Sequence, residues 1–228
     1  MVTRNDCLPF VPATRIQDSV SASVEKRALI WMAERTPQWI NSDHLTALGF
    51  AGQALAGVFY TAARWDRRAL LVVIVCLAVN WLGDSLDGTL ARVRGRQRPR
   101  YGFYVDHIID TFAAFFLMGG LALSGYVHPA IAAGMLVAFL MLSIEVYLAS
   151  YTLGTFRLSY GKLGPTEIRI LLVIGNLALL YRPVVKLHGI QFRLFDVGGT
   201  VAIAAMAVML VVSSITHALR LYREERMP

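Results

Sequence analysis

Six apolar stretches, separated by short polar links, recur along the chain at about 43–63, 68–91, 103–126, 129–152, 165–185 and 197–219. A bilayer core of about 30 Å takes roughly 20 apolar residues as a helix. Six such stretches in 228 residues leave no room for a large soluble domain. The composition agrees, with 56% hydrophobic residues, only 16% charged ones and a mean hydropathy of +0.54. The expected fold class is therefore an all-α integral membrane protein with six transmembrane helices.

Residues 1–16 read as irregular. From Ser19 to about Arg35, Val20, Val24, Ala28, Trp31 and Met32 fall at helical spacing, while Glu25, Lys26, Arg27, Glu34 and Arg35 lie mostly on other faces. This pattern suits an N-terminal amphipathic helix in the membrane interface, or one packed on a soluble partner. The chain accordingly divides into an N-terminal segment, 1–40, and a six-span membrane domain, 41–228. The N-terminus lacks a basic start followed directly by an apolar run, so no cleavable signal peptide is expected.

Six spans put both termini on one side. That side carries the Lys and Arg residues before span 1, those of Arg92–Arg100, then Arg157, Lys162, Arg169 and those after span 6, which make sixteen of the 22. The positive-inside rule thus places both termini in the cytoplasm. The net charge of +7 is read as topology and attraction to anionic headgroups, with no nucleic acid as partner. Cys7 and Cys76 form neither a CxxC pair nor a disulfide framework and are read as free thiols.

Four carboxylates break the apolar pattern. Span 2 ends NWLGDSLDGTLAR and span 3 begins YGFYVDHIIDTFAAFF, which puts Asp84, Asp87, Asp106 and Asp110 inside otherwise apolar helices. Such acids are costly there without a cation or a wet cavity. Asp84, Asp87, Gly88 and Ala91 are spaced i, i+3, i+4, i+7, and Gly102, Asp106 and Asp110 are spaced i, i+4, i+8, so each set shares one helix face. Antiparallel spans joined by a loop from Val93 to Tyr101 bring Asp84 and Asp110 to a common depth of about 12 Å. Hard oxygen donors without a cysteine or histidine cage suit Mg²⁺ or Mn²⁺, and such ions complete their shells with water and substrate phosphates. Gly88, Ala91 and Gly102 keep these faces open to a ligand, and Arg92 can give paired hydrogen bonds to a diphosphate. The competing reading is close helix packing, with the acids paired to loop arginines.

The string Asp84-x2-Asp87-Gly88-x2-Ala91-Arg92, nine residues, then Gly102-x3-Asp106-x3-Asp110 resembles the signature of the CDP-alcohol phosphotransferases, enzymes of phospholipid synthesis. The resemblance implies metal binding by Asp84, Asp87, Asp106 and Asp110, with Asp110 as general base, and a CDP pocket lined by Asp84, Gly88, Ala91, Arg92 and Gly102. It also implies transfer from a CDP-alcohol, chiefly CDP-diacylglycerol, to an alcohol acceptor with release of CMP, at the cytoplasmic face and in a homodimer. One departure lies at span 1, where family members often carry Pro-Asn-x-x-Thr and this chain reads Ser42-Asp43-His44-Leu45-Thr46. Thr46 is a candidate nucleotide contact, and Asp43 a candidate N-cap.

Other polar residues fall near the same depth. Glu145, about 14 Å from the end of span 4, is a candidate for the acceptor alcohol or for a paired acid within the bundle. Glu167 and Arg169 follow Pro165-Thr166 in a stretch similar to parts of the choline and ethanolamine phosphotransferases, so they are candidates for an acceptor site or for helix-start capping. Arg94, Arg96, Arg98 and Arg100 read as topology determinants that bind headgroups, with attraction of anionic substrates as the alternative. His107 is expected to pack rather than ligate, and Trp65, Tyr126 and Tyr181 read as interfacial anchors. The alternatives to a CDP-diacylglycerol enzyme are a CDP-amino alcohol enzyme acting on diacylglycerol, an intramembrane prenyltransferase and a divalent-cation transporter. CMP release separates both kinds of CDP-alcohol enzyme from the prenyltransferase and the transporter.

Overall fold

The computed structural model describes residues 14–16, 22–157, 164–187 and 189–225. In chain order it contains a short strand β1 (Thr14–Ile16), then helices α1 (Ala22–Arg35), α2 (Ser42–Ala62), α3 (Ala69–Val93), α4 (Pro99–Leu123) and α5 (Pro129–Leu153). A strand β2 (Thr155–Arg157), helix α6 (Pro165–Tyr181), strands β3 (Val184–Leu187) and β4 (Ile190–Arg193) and helix α7 (Leu194–Glu224) complete it. Five helices, α2, α3, α4, α5 and α7, are long and apolar enough to cross a membrane, as expected of an integral membrane protein. The fifth apolar stretch forms α6, of 17 residues rather than the 21 expected from 165–185. Pro183 explains the early stop. It lacks an N–H and drives the residue before it out of the helical region, and Arg182 sits at φ −140°, ψ 87°.

Two further boundaries differ from the sequence reading. Helix α4 starts at Pro99 rather than 103, because proline at the first helical position pre-sets φ and costs no hydrogen bond. The α3–α4 connection is therefore only residues 94–98, and Gly102 lies inside α4. Strand β1, within the segment read as irregular, pairs in parallel with β2, Thr14 opposite Thr155. The link from α6 to α7 is a hairpin of β3 and β4, turned at Gly189 with φ +84°. Cys76 is a free thiol; Cys7 and Lys162 lie outside the described residues.

Lipid tails are as apolar as leucine, so helices in a membrane associate through close van der Waals contact rather than through apolar burial, and small residues permit it. Two glycine pairs serve this. Gly49 of α2 meets Gly83 of α3, and Gly57 of α2 meets Gly120 of α4; a Cβ on Gly120 would run into the backbone of Gly57, and one on Gly57 into the backbone of Phe116 in α4. Around Gly57, at the end of the bundle holding the last turns of α2 and the first of α3, the buried residues Ala56, Tyr60, Leu70, Val73, Leu77, Leu117, Val127 and Leu179 form one cluster. This is called the distal end below.

At the opposite end, Leu29 and Ala33 of α1 pack on Leu45, Leu86 and Leu90 of α2 and α3. The buried positions of α1 are thus Leu29 and Ala33, whereas Ala28 and Trp31, expected on its apolar face, are exposed together with Lys26 and Arg27. The link from α1 to α2 is clamped by Arg94, whose guanidinium donates to the carbonyls of Ile40 (2.6 Å), Thr36 (2.7 Å) and Pro37 (3.0 Å).

Candidate active site

The end of the bundle next to α1 holds the acids. Helix α3 presents Asp84 and Asp87, α4 presents Asp106 and Asp110, and all four line one cleft, with Thr46 and Gly49 of α2 and Asn80 of α3 on its wall. Carboxylate oxygens of Asp84, Asp106 and Asp110 lie within 4.8 Å of one another. Three hard oxygens at that spacing, from partly buried side chains, are a fitting donor set for Mg²⁺ or Mn²⁺.

Asp87 stands apart from this trio. It is buried, its Oδ2 accepts a hydrogen bond from Thr46 Oγ1 at 2.6 Å, its Oδ1 accepts from the N–H of Gly88, and its main-chain carbonyl accepts from Ser42 Oγ at 3.0 Å. The start of α2 thus fastens Asp87, which lines the same cleft. Thr46, considered as a nucleotide contact, rests on this carboxylate and on the Ser42 carbonyl (3.1 Å).

The residues beyond Asp87 leave space. Nothing within 4 Å would meet a Cβ on Gly102, and a Cβ on Gly88 would meet only the tip of Arg92, at 3.5 Å. Arg92 folds back over this turn and donates to Thr89 Oγ1 at 2.9 Å, while Ala91, one residue before it, is half-buried.

Asp43 is not the cap of α2. Asn41 occupies that position in extended conformation, and the ring of His44 accepts its N–H at 3.2 Å. Asp43 instead forms an ion pair with Arg98, which raises the guanidinium pKa through their hydrogen bond. Arg98 also lies over the ring of Tyr101, 4.2 Å from its centroid. With Arg94 clamping carbonyls, two of the four loop arginines read as headgroup binders are engaged by the protein itself.

Arg169 enters from α6. Its Nη2 is 2.5 Å from Asp84 Oδ2 and its Nε 2.8 Å from Asn80 Oδ1, so it reaches the acid cluster rather than a capping position. Glu167 accepts the N–H of Gly164 at 2.9 Å and caps α6. Glu145 does not line the cleft; it is buried between α5 and α7 with its Oε1 2.6 Å from His217 Nδ1. His107 packs between Phe103 and Tyr147, with ring centroids at 4.1 and 4.7 Å.

Two residues of this region escaped the sequence reading. Asn80 joins three helices: its Nδ2 donates to Gly49 O of α2 at 3.0 Å while its Oδ1 receives Arg169 of α6. A polar residue four before Asp84 in an apolar run was the available signal. Glu25 of α1 accepts at Oε1 from Thr166 (2.8 Å), Trp81 (3.0 Å) and Ser85 (3.3 Å), tying α1 to α3 and α6. Nothing in an amphipathic pattern distinguishes a half-buried acid that joins helices from those on the solvated face.

Comparison with known proteins agrees with this geometry. No curated relative matches the chain in sequence. Among solved structures, the crystal structure of Mycobacterium tuberculosis phosphatidylinositol phosphate synthase (PgsA1) with CDP-DAG bound is similar in fold, with a TM-score of 0.54 at 18% identity, covering 92% of this chain and 98% of that one. The family profile for CDP-alcohol phosphatidyltransferases matches residues 39–216, a stretch that contains the whole acid cluster and every helix from α2 to α6. With its acids on the two helices that carry the signature, the chain belongs to the CDP-alcohol phosphatidyltransferase family.

Proposed function

We propose that this protein transfers a phosphatidyl group from CDP-diacylglycerol to an alcohol acceptor, releasing CMP. The observation that carries the reading is the meeting of three signature carboxylates from α3 and α4 in one cleft. A protein similar in fold, PgsA1, is described with CDP-DAG bound, which favours that donor.

In this reading Asp84, Asp106 and Asp110 hold divalent metal, two ions in all, with Asp87 contributing from the same cleft. The metal supplies charge neutralisation of the diphosphate and of the departing CMP phosphate. Asp110 accepts the proton of the acceptor hydroxyl. The acceptor oxygen forms a bond to the β-phosphorus, the bond from that phosphorus to the oxygen of CMP breaks, and CMP leaves with the electron pair. Arg92 binds the diphosphate, and Gly88, Ala91 and Gly102 admit the cytidine nucleotide close to the helix backbones. Arg169 and Glu167 flank the acceptor side.

The same reading has α6 completing six spans with the five longer helices, places both termini and the cleft on the cytoplasmic side, treats 1–40 as an appendage of the 41–228 membrane domain and has the enzyme working as a homodimer. The Gly-Pro-Thr-Glu start of α6 favours a second donor class, a CDP-amino alcohol with diacylglycerol as acceptor.

The test is CMP release by purified protein in liposomes with Mg²⁺ or Mn²⁺ and CDP-diacylglycerol, offered glycerol 3-phosphate, inositol 1-phosphate, serine and inositol in turn. Acceptor-dependent CMP supports the reading and identifies the alcohol. Release only from CDP-choline or CDP-ethanolamine with diacylglycerol moves the assignment to the second class, and no CMP from any pair refutes phosphotransfer.

A further inference from the structure

A positive charge already stands at the edge of the proposed metal site. Arg169 Nη2 is 2.5 Å from Asp84 Oδ2, and the two side chains are only 17% and 25% exposed. The guanidinium is held rather than loosely placed. Its Nε donates to Asn80 Oδ1 at 2.8 Å, and Asn80 is itself buried and fixed to the Gly49 carbonyl of α2 at 3.0 Å. A planar fork gripped on one edge by Asn80 and on the other by Asp84 has one preferred place.

That place conflicts with a divalent cation. Oxygens of Asp84, Asp106 and Asp110 lie within 4.8 Å of each other. Mg²⁺ and Mn²⁺ bind such oxygens at about 2 Å. An ion bonded to Asp84 therefore comes within about 5 Å of the guanidinium, where repulsion between +2 and +1 in a partly desolvated cleft is strong. We infer that Arg169 is an internal counter-cation: it offsets part of the negative charge of the three-carboxylate cluster by pairing with Asp84 when no metal is bound, and gives up Asp84 when metal enters. The inference rests on the metal reading above. Its content is new: the affinity of the site for metal is set against a tethered arginine on α6, so a helix outside the signature tunes the signature's cation.

The test needs no substrate. Purified full-length protein in detergent is stripped with chelator and titrated with Mn²⁺, free Mn²⁺ being read by its EPR signal. Arg169→Gln removes the competing charge and is expected to bind Mn²⁺ roughly tenfold more tightly, the scale of one partly buried ion pair. Arg169→Lys keeps a charge but loses the grip of Asn80 and falls between. In chelator, Arg169→Gln melts below the wild type, because three carboxylates face each other uncompensated, and saturating Mn²⁺ raises its melting temperature by more degrees than it raises that of the wild type. Equal or weaker Mn²⁺ affinity in Arg169→Gln overturns the counter-cation. If that variant does not fold, Arg169→Lys carries the test, and wild-type affinity in it overturns the idea. Absence of Mn²⁺ binding to the wild type, or binding that survives Asp84→Asn, sinks the metal reading itself and the inference with it.

Discussion

The two ends of the bundle are built on opposite terms. At the distal end, twelve buried residues, among them Ala56, Val73, Leu77, Leu117 and Leu179, form one cluster around the Gly57–Gly120 contact. The main polar contact there is Asn176 Nδ2 on Tyr60 OH at 2.7 Å. At the site end the helices meet through Asp84, Asp87, Asn80, Arg169, Glu25 and Thr46, each held by hydrogen bonds. Apolar packing tolerates no intruder but asks for no particular atom, whereas directional bonds fix positions to tenths of an ångström and leave a cleft open. The helices are thus held together at one end and aimed at the other, and the two ends should answer differently to mutation.

The largest separation of the two is expected from Asp110→Asn. Turnover falls by at least about a hundredfold on removal of a general base, while the melting temperature stays within a few degrees of the wild type. CMP assays and calorimetry on one preparation check this, and turnover within twofold of the wild type breaks the assignment. Gly57→Leu does the reverse. Its side chain has to displace the backbone of α4 at Phe116, and overpacking costs about 1–3 kcal/mol or more. The expected sign is a lower midpoint in a denaturant or thermal series, and an unshifted midpoint shows that the glycine contact is not what joins α2 to α4.

A smaller effect tests whether the site end stores stability as well as geometry. Glu25→Ala strips one acceptor from Thr166, Trp81 and Ser85, at about 1–3 kcal/mol for donors left in a partly buried place. Trp81 should report the change by a red-shifted fluorescence maximum, and a spectrum and stability like the wild type would mean the three donors find other partners at once. Tyr60→Phe at the distal end is the smallest, about 1 kcal/mol for one hydrogen bond. A loss well above that in matched melts would show that the distal end, too, depends on directional bonding.

Much of the site end was legible because helical spacing alone aligns Asp84 with Ala91 and Gly102 with Asp110, and a short loop makes the helices antiparallel. The separation of Asp87 from the other three was not legible, since it depends on where the hydroxyl of Thr46 falls across a helix–helix contact more than 40 residues away in sequence. Asn80 and Glu25 were missed for a related reason: each acts by joining helices, and nothing in the sequence near Asn80 names Gly49 or Arg169 as partner. The small strands were hidden in another way. Hydropathy carries 165–185 through as one apolar run, and only Pro183 marks the stop of α6, after which Val184–Leu187 can pair with Ile190–Arg193 about a glycine that turns at positive φ.

Helices α6 and α7 follow each other in the chain with 17 and 31 residues. At 1.5 Å per residue they measure about 26 Å and about 46 Å. Only the second is long and apolar enough to cross a bilayer core of about 30 Å, and its surplus of about 16 Å makes it lean or protrude. A leaning α7 spreads its exposed apolar residues, Val201, Val208, Val211, Val212 and Ile215, over a wider arc of lipid than an upright helix would.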